Sequence, residues 1–241
     1  MRLVWHETGT RVYETGVSHG VLYRMDANHE YTRGYAWQGI SSVDENPTGA
    51  EPTAIYADDI KYLNLMSIEE FGFSISAYTY PKEFEPCDGT AELAPGVNIG
   101  QQVREGFGFS YRTIIGNDTE GNAFGYKIHL VYGCIASPSD KSHSTVNDTP
   151  EANEMSWDVA TIPVSIPGLR PTSKIVINSR EVDPNKLAIL ESILYGTDPA
   201  PLAAGAEALE GDGPNPAAGI GARLPMPDEI IEIFKEEATQ G

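Results

Sequence analysis

The 241-residue sequence is long enough for one large β domain or two small domains, and it carries far more acid than base. Its 16 Lys and Arg against 35 Asp and Glu give a net charge of −19, which argues against a protein whose main task is to grip nucleic-acid phosphates. Two cysteines, Cys87 and Cys134, are too few for a disulfide-stapled miniprotein. The 24 Gly, 17 Pro and 12 Tyr favour strands separated by turns.

The sequence contains none of the common patterns that carry catalysis. It has no Gly-rich phosphate loop, no nucleophile elbow and no paired metal-ligand motif, so it predicts no catalytic residue, no cofactor and no metal site. His129 lies inside a predicted strand, where a structural histidine is the best interpretation. No stretch approaches the ~20 apolar residues of a membrane helix, and no signal-peptide core follows the first residues. We therefore expect a protein that is not an enzyme, has no membrane partner and is made in the cytoplasm.

The first third of the chain predicts an arm followed by strands. Residues 1–33 hold short strand-like fragments broken by glycines and are predicted as an extended N-terminal arm. Residues 35–43 and 53–65 are predicted as the two strands of one long hairpin, joined through the turn-rich stretch 44–49. Residues 69–80 alternate between apolar and small or polar side chains, which predicts a half-buried strand.

The clearest alternation in the sequence lies in a second predicted hairpin. Residues 107–115 and 124–134 form its strands, and residues 116–121 form its turn. In the return strand a strict period of two places Tyr132 and Cys134 on the same side.

Two more strands and a helix are predicted after this hairpin. Residues 155–166 and 173–178 read as strands, after which the hydrophobic period becomes helical. The helix is predicted over 184–195, because Asp183 suits an N-cap, proline occupies the first helical position and Gly196 suits the C-terminal end.

The end of the chain is predicted as a linker and a short amphipathic segment. Of residues 199–227, 19 are Pro, Gly or Ala without an apolar period, which is typical of an extended linker. In the segment that follows, Ile230, Ile231 and Phe234 share one stripe. Two interpretations have equal weight: the segment binds a partner, or it folds back on its own domain.

Several stretches taken in chain order resemble one family. They are 14–23, 36–43, 55–65, 77–81 with 87–89, 109–113 with 115–118, 125–132, 167–171, 193–197 and 223–230. The sequences ETGVSHGVLY, AWQGISSV, FSYRT, GYKIHLVY and RLPMPDEI are among them. Together they closely resemble the major tail proteins, or tail tube proteins, of long-tailed, non-contractile bacteriophages. Each motif is a structural strand or turn, and the specificity lies in their order and spacing. The Ala-, Gly- and Pro-rich stretch 199–222 departs from the family pattern and looks like an insertion.

The resemblance implies a fold and an organisation. The fold is mainly β, a β-sandwich of tail-tube type with long hairpins, one flanking α-helix and extended N- and C-terminal arms. The organisation is an N-terminal arm over 1–33, the sandwich over 34–198, and a linker with a C-terminal docking segment over 199–241.

The resemblance also implies a function. Six subunits form a ring, and rings stack into a tube that encloses the tape-measure protein and later conducts DNA. Further partners are the tail terminator and distal tail proteins, and the protein is expected in the virion tail after assembly in the host cytoplasm. Strands predicted to line the tube are represented by Tyr35, Val43, Ile55, Leu65, Phe109 and Tyr132. Ile230, Ile231 and Phe234 are the candidates for docking on an adjacent subunit.

A rival hypothesis comes from a different class of protein. A monomeric carbohydrate-binding or hydrolytic β-sandwich would use exposed aromatic side chains, such as Trp37 and Trp157, to stack on sugar rings.

Overall fold

The fold is mainly β and is built around one large antiparallel sheet with two short helices. A computed structural model describes residues 3–139, 141, 143, 145, 152–198 and 219–235. The first eight strands are β1 (Val12–Arg24), β2 (Arg33–Trp37), β3 (Ile40–Glu45), β4 (Thr48–Gly49), β5 (Pro52–Ala57), β6 (Ile60–Met66), β7 (Glu69–Glu70) and β8 (Gly72–Ala77). The remaining strands are β9 (Ala91–Ala94), β10 (Val97–Ile99), β11 (Phe107–Asn117), β12 (Gly121–Ala136), β13 (Met155–Thr161) and β14 (Lys174–Asn178). The helices are α1 (Pro184–Tyr195) and α2 (Pro227–Phe234), and within the described residues no helix is long and apolar enough to cross a membrane.

The large sheet curls so that its two end strands approach each other. Its order is β2-β1-β11-β12-β13-β8-β3, with β14 pairing alongside β12. Strands β2 and β3, at opposite ends of this order, are separated in the chain by only Gln38 and Gly39. The Tyr78 N–H donates to the Gly39 carbonyl at 2.9 Å, and Trp37 Nε1 donates to the Thr79 carbonyl at 2.8 Å. These bonds join the two ends of the sheet and give the fold its sandwich-like shape.

Each face of the sheet carries its own hydrophobic core. On the inner face, aromatic side chains pack edge to face, as with the Trp37 and Trp157 rings at 5.6 Å. The inner-face core includes Leu22, Trp37, Phe73, Ile75, Phe84, Phe107, Phe109, Val131, Cys134 and Trp157. The opposite face, which we call the helical face, is covered by α1 and α2. Its core includes Tyr23, Tyr31, Ile128, Leu130, Tyr132, Leu187, Leu190, Leu194, Leu224 and Ile230.

Strand β1 corrects the prediction of an N-terminal arm over 1–33. Val12–Arg24 is a 13-residue strand between β2 and β11, and Leu22 and Tyr23 are fully buried. Gly16 and Gly20 lie within the strand: Gly16 has a φ of +68°, and the pairing register shifts between Thr15 and Ser18.

The pairing of the first predicted hairpin is wrong, although a long hairpin exists. Residues 35–43 do not pair with 53–65; instead β2 pairs with β1, and β3 pairs with β8. Three nested pairs, β3 with β8, β4 with β7 and β5 with β6, make a single hairpin from Ile40 to Ala77. Its turn lies at Asp58 and Asp59, both with positive φ (51° and 61°), as a two-residue hairpin turn of type I′ requires.

The second predicted hairpin is confirmed, but its alternation changes phase near the end. Strand β11 pairs with β12 from Phe107 opposite Cys134 to Asn117 opposite Gly121. Gly133 has a φ of +61°, and a Cβ there would lie 2.2 Å from the Ile162 carbonyl oxygen. This glycine bulge turns Cys134 to the inner face while Tyr132 stays on the helical face, so the two do not share a side as predicted.

Helix α1 has the predicted bounds, and α2 is a second helix beyond the one expected. The Asp183 carboxylate accepts from the Asn185 and Lys186 N–H groups at 2.7 and 3.3 Å and caps the first turn of α1. The predicted strand at 155–166 ends earlier, at Thr161. Of the predicted linker, residues 199–218 lie outside the described residues.

Candidate functional site

The feature with the strongest functional signal is the outer part of the long hairpin, residues 46–70, which we call the hairpin arm. Eight of its large apolar or aromatic side chains are exposed to solvent. They are Ile55, Tyr56, Ile60, Tyr62, Leu63, Leu65, Met66 and Ile68. Burying one such side chain is worth ~1.5–3 kcal/mol, so leaving this many in water is costly. A lone two-stranded hairpin is also marginal in water, and a partner that covers the arm would stabilise it.

A second exposed apolar surface lies on the β9–β10 hairpin. Leu93, Val97 and Ile99 are exposed there, and Val103 beyond it is 91% exposed. This hairpin therefore presents a further apolar surface apart from the hairpin arm.

A cluster of charged and polar side chains lies where the hairpin arm leaves the sheet. Along the inner face of β11, the buried Phe107 and Phe109 are followed by Tyr111 and Thr113, so the face changes from apolar to polar. Glu45, the last residue of β3, accepts a 2.6 Å hydrogen bond from Tyr111 Oη. We call the group around Glu45 the base cluster; it comprises Glu14, Glu45, Tyr111, Thr113, Lys127, His129 and Lys174.

Side chains from five strands form the base cluster, and its lysine and glutamate side chains pair with one another. Lys174 Nζ on β14 donates to Glu45 Oε1, and Lys127 Nζ donates to Glu14 Oε2 at 2.5 Å. The imidazole of His129 lies between the two carboxylates, with Nε2 at 3.6 Å from Glu14 and Nδ1 at 3.8 Å from Glu45. Its ring stacks on Tyr111 with centroids 4.4 Å apart.

The hydrogen bonds of the base cluster determine which nitrogen of His129 carries its proton. Thr113 Oγ1 donates its one hydrogen to Glu14 at 2.6 Å, so it accepts from His129 Nε2 at 2.9 Å. The Nδ1 atom is buried and has no hydrogen-bond partner among the described residues. The hydrogen bond to Thr113 thus places a proton on Nε2.

Burial and the neighbouring charges shift the pKa values within the base cluster. Burial lowers the pKa of His129, and Lys174 lowers it further against the pull of the two carboxylates. Burial opposes ionisation of Glu45, but hydrogen bonds from Lys174 and Tyr111 outweigh burial and lower the pKa of the carboxyl. The same balance, with Lys127 and Thr113 as donors, lowers the pKa of Glu14. Two carboxylates and two ammonium groups thus hold a neutral histidine between them.

The predicted tube-lining residues lie in three different environments. Ile55 and Leu65 are exposed on the hairpin arm, and Tyr35 and Val43 pack partly buried against the inner-face core. Phe109 and Tyr132 are fully buried in the cores on opposite faces of the sheet. These two side chains are therefore enclosed within their own subunit, and the prediction that their strands line a tube stays a prediction.

The C-terminal docking stripe is largely covered by its own chain. Ile230 is 6% exposed in the helical-face core, and Phe234 packs partly buried against that core. The Arg223 and Leu224 N–H groups donate to the Ile193 and Tyr31 carbonyls at 2.9 and 3.1 Å and tie the segment to its own domain. Ile230 is therefore enclosed by its own chain, whereas Phe234 stays partly exposed and Ile231 is 43% exposed, so docking on an adjacent subunit stays a prediction for these two residues.

The tryptophans proposed as sugar platforms are core residues. Trp157 is fully buried and Trp37 is 3% exposed. The two cysteines are buried free thiols of the inner-face core, and burial raises the pKa of Cys87 to about 12. Within the described residues, no group of three or more His, Cys, Asp or Glu side chains could hold a metal ion.

Sequence reasoning missed the base cluster. The residues of the base cluster are as far apart in the sequence as Glu14 and Lys174. In the sequence, each one resembles an ordinary surface residue of its own strand. The sequence signal that bears on it is the change from Phe to Tyr and Thr along one face of β11.

Comparison with known proteins returned no match: no protein-family model matches the chain, and no curated protein matches it.

Proposed function

We propose that this protein is a structural subunit that assembles with copies of itself through the hairpin arm. The observation that carries the proposal is the exposure of eight large apolar side chains on one hairpin arm that projects from the sheet. Exposed apolar surface of this extent is typical of a protein interface.

The proposed partner is a second copy of the chain. The β9–β10 surface, with Leu93, Val97 and Ile99, offers apolar area on a different part of the same molecule. An arm that binds a different surface on the next copy makes a head-to-tail contact, and repeated head-to-tail contacts close into rings or continue as filaments.

The sequence resemblance supports a specific form of this assembly. Major tail proteins of long-tailed bacteriophages form hexameric rings that stack into a tube, which encloses the tape-measure protein and conducts DNA. In the proposed assembly Ile55 and Leu65 lie at subunit contacts or along the tube wall. The net charge of −19 suits a passage for DNA, because an acidic wall does not hold phosphates. The protein acts in the virion without catalysis.

The test is to make the arm unable to assemble while leaving the fold intact. Tyr62→Glu and Leu65→Glu each place a charge among the exposed apolar side chains of β6, where a buried contact would have to desolvate it. We expect the parent protein to form rings or tubes in negative-stain images and each variant to sediment as a monomer. Ile189→Glu, an equal change at a 51% exposed position on α1, serves as the matched control and should assemble normally.

Two outcomes would contradict the proposal. One is a parent protein that stays monomeric at every concentration tested, and the other is normal assembly by both arm variants. A monomer that binds glycans in an array would instead support the carbohydrate-binding hypothesis.

A further inference from the structure

The hairpin arm is fastened to the rest of the molecule only at its base. No hydrogen bond or ion pair joins residues 47–70 to any other part of the chain that the structure describes. At the base of the arm, the Asn46 N–H donates to the Gly72 carbonyl at 2.8 Å. This backbone hydrogen bond joins the two halves of the hairpin, which we call its legs. The direction in which the arm projects therefore depends on contacts at or before this point.

The pairing of the two legs is interrupted just beyond the base. Strand β3 ends at Glu45, and β4 begins only at Thr48. A second interruption follows at Ala50, which has a φ of +54°, an uncommon conformation for a residue with a Cβ. Short breaks of this kind absorb changes in backbone angle, and the first break, opposite Phe71 on the returning strand, is where the arm can bend relative to the sheet.

Glu45 is the last residue of β3, where the chain enters the hairpin arm, and its side chain connects this point to other strands of the large sheet. Its carboxylate accepts from Tyr111 on β11 and from Lys174 on β14, and it lies 3.8 Å from His129 on β12. Tyr111 on β11 and Lys174 on β14 thus hold one residue at the point where the arm begins.

Lys174 connects the same point to the returning leg. Its ammonium lies 5.5 Å from the centre of the Phe71 ring, between β7 and β8, in a cation–π arrangement. The Phe71 carbonyl accepts a 2.6 Å hydrogen bond from Thr161 Oγ1 on β13. One lysine side chain therefore contacts both legs of the hairpin where they leave the sheet.

We propose that Glu45 and Lys174 form a latch that fixes the direction of the hairpin arm, and that opening the latch frees the arm to swing as an intact hairpin. Both side chains are partly exposed, 32% for Glu45 and 21% for Lys174, so water can replace their contacts when the latch opens. The arm itself keeps its cross-strand pairs, because none of them involves the latch residues. The latch is a property of the single chain and holds whether or not the chain forms tubes.

The experiment measures the direction of the arm within one molecule. Spin labels on Lys61→Cys near the tip and on Ile189→Cys in α1 report the distance from arm to body by pulsed electron resonance. Every protein in this experiment also carries Tyr62→Glu, which keeps the chain monomeric, so that a neighbouring copy neither fixes the arm nor contributes distances. The natural thiols do not compete for the label, because Cys87 and Cys134 are buried.

We expect one narrow distance distribution in the parent and a broadening of at least about twofold in Glu45→Ala. Glu69→Ala is the matched control: it removes the same charge from the same hairpin, at an exposed site without an ion pair to any described residue. Hydrogen exchange at the paired amides of β5 and β6 should be unchanged in Glu45→Ala, which shows that the arm swings without melting.

An unchanged distribution in Glu45→Ala overturns the latch, and so does faster exchange throughout β5 and β6. If Glu45→Ala fails to fold, Lys174→Met decides in the same way, because it keeps an apolar stem beside Phe71 and removes the ammonium. Loss of assembly does not enter this measurement, so failure of the latch and failure of the proposed function are separate results.

Discussion

The protonation of His129 depends both on the burial of its side chain and on the charges of its neighbours. Its side chain is 7% exposed, and its neutral ring is surrounded by Glu14, Glu45, Tyr111 and two lysines. The two carboxylates favour a charged imidazole, but burial and Lys174 prevail and lower its pKa. A neutral histidine therefore belongs to the folded state, whereas the unfolded chain takes up a proton near the ordinary value of about 6.5.

This difference predicts a loss of stability on mild acidification. Below pH ~6.5 the unfolded state binds a proton that folded His129 does not, so the free energy of unfolding falls with pH, by at most ~1.4 kcal/mol per pH unit for one group. Urea unfolding at pH 7, 6 and 5 should show this decline in the parent and a smaller decline in His129→Gln. Equal slopes in the two proteins would show that His129 does not carry the effect.

Other titratable groups also contribute to the pH dependence of stability, and their contributions can be separated from that of His129. Glu14 and Glu45 have lowered pKa values, so their stabilisation is fully present above about 4.5 and is lost only at lower pH. His19 also has a pKa lowered by burial, and His19→Asn removes that contribution. Asparagine tolerates the φ of +52° at this position better than most residues do.

The sequence alone does not determine which surface the helix α2 packs against. Its apolar stripe predicts that something covers it, and either a neighbour or its own domain would satisfy that requirement. The structure places Ile230 against the helical face, and Leu224 on the approach to the helix pairs with Tyr31 and is 2% exposed. The helix packs on its own domain because the helical-face core includes Tyr31 and Tyr132, two residues far away in the sequence. A local sequence pattern does not report such contacts.

Two adjacent residues of α2 test this placement. Ile230→Ala should lower the free energy of unfolding by ~2–5 kcal/mol, because it leaves a cavity in the helical-face core. Ile231→Ala, the matched change at a 43% exposed site, should change it by no more than ~0.5 kcal/mol. The comparison is made by urea unfolding of both variants at pH 7. Small and equal losses would mean that α2 does not pack on its own domain in solution.

Local periodicity predicted elements well and long-range pairing poorly. The alternation around Phe73 and Ile75, the hairpin of β11 with β12, and α1 with its Asp183 cap all follow from neighbouring residues. The turn at Asp58 and Asp59 was missed because two acidic residues lack the glycine that usually marks a type I′ turn. The phase change at Gly133 was missed because the backbone there contacts Ile162, a residue far along the chain that no local pattern reports.

At the scale of the whole molecule, charge and apolar exposure act against each other. A net charge of −19 makes copies of the chain repel, whereas the hairpin arm and the β9–β10 surface favour contact. Within β6, only Lys61 carries a charge, so this strand of the arm has little capacity for ion pairs with a neighbour. Association through the arm should therefore depend on apolar burial and be opposed by long-range repulsion.

This balance predicts that salt promotes assembly. The screening length falls from ~30 Å in 0.01 M salt to ~10 Å in 0.1 M, so added NaCl removes the repulsion between subunits and leaves apolar contacts in place. We expect the assembled fraction, measured by sedimentation velocity at fixed protein concentration, to rise as NaCl increases. Tyr62→Glu should remain monomeric over the same range, which separates assembly through the arm from general salting-out. Dissociation on adding salt would show instead that ion pairs hold the subunits together, and it would remove the hairpin arm as the main source of affinity.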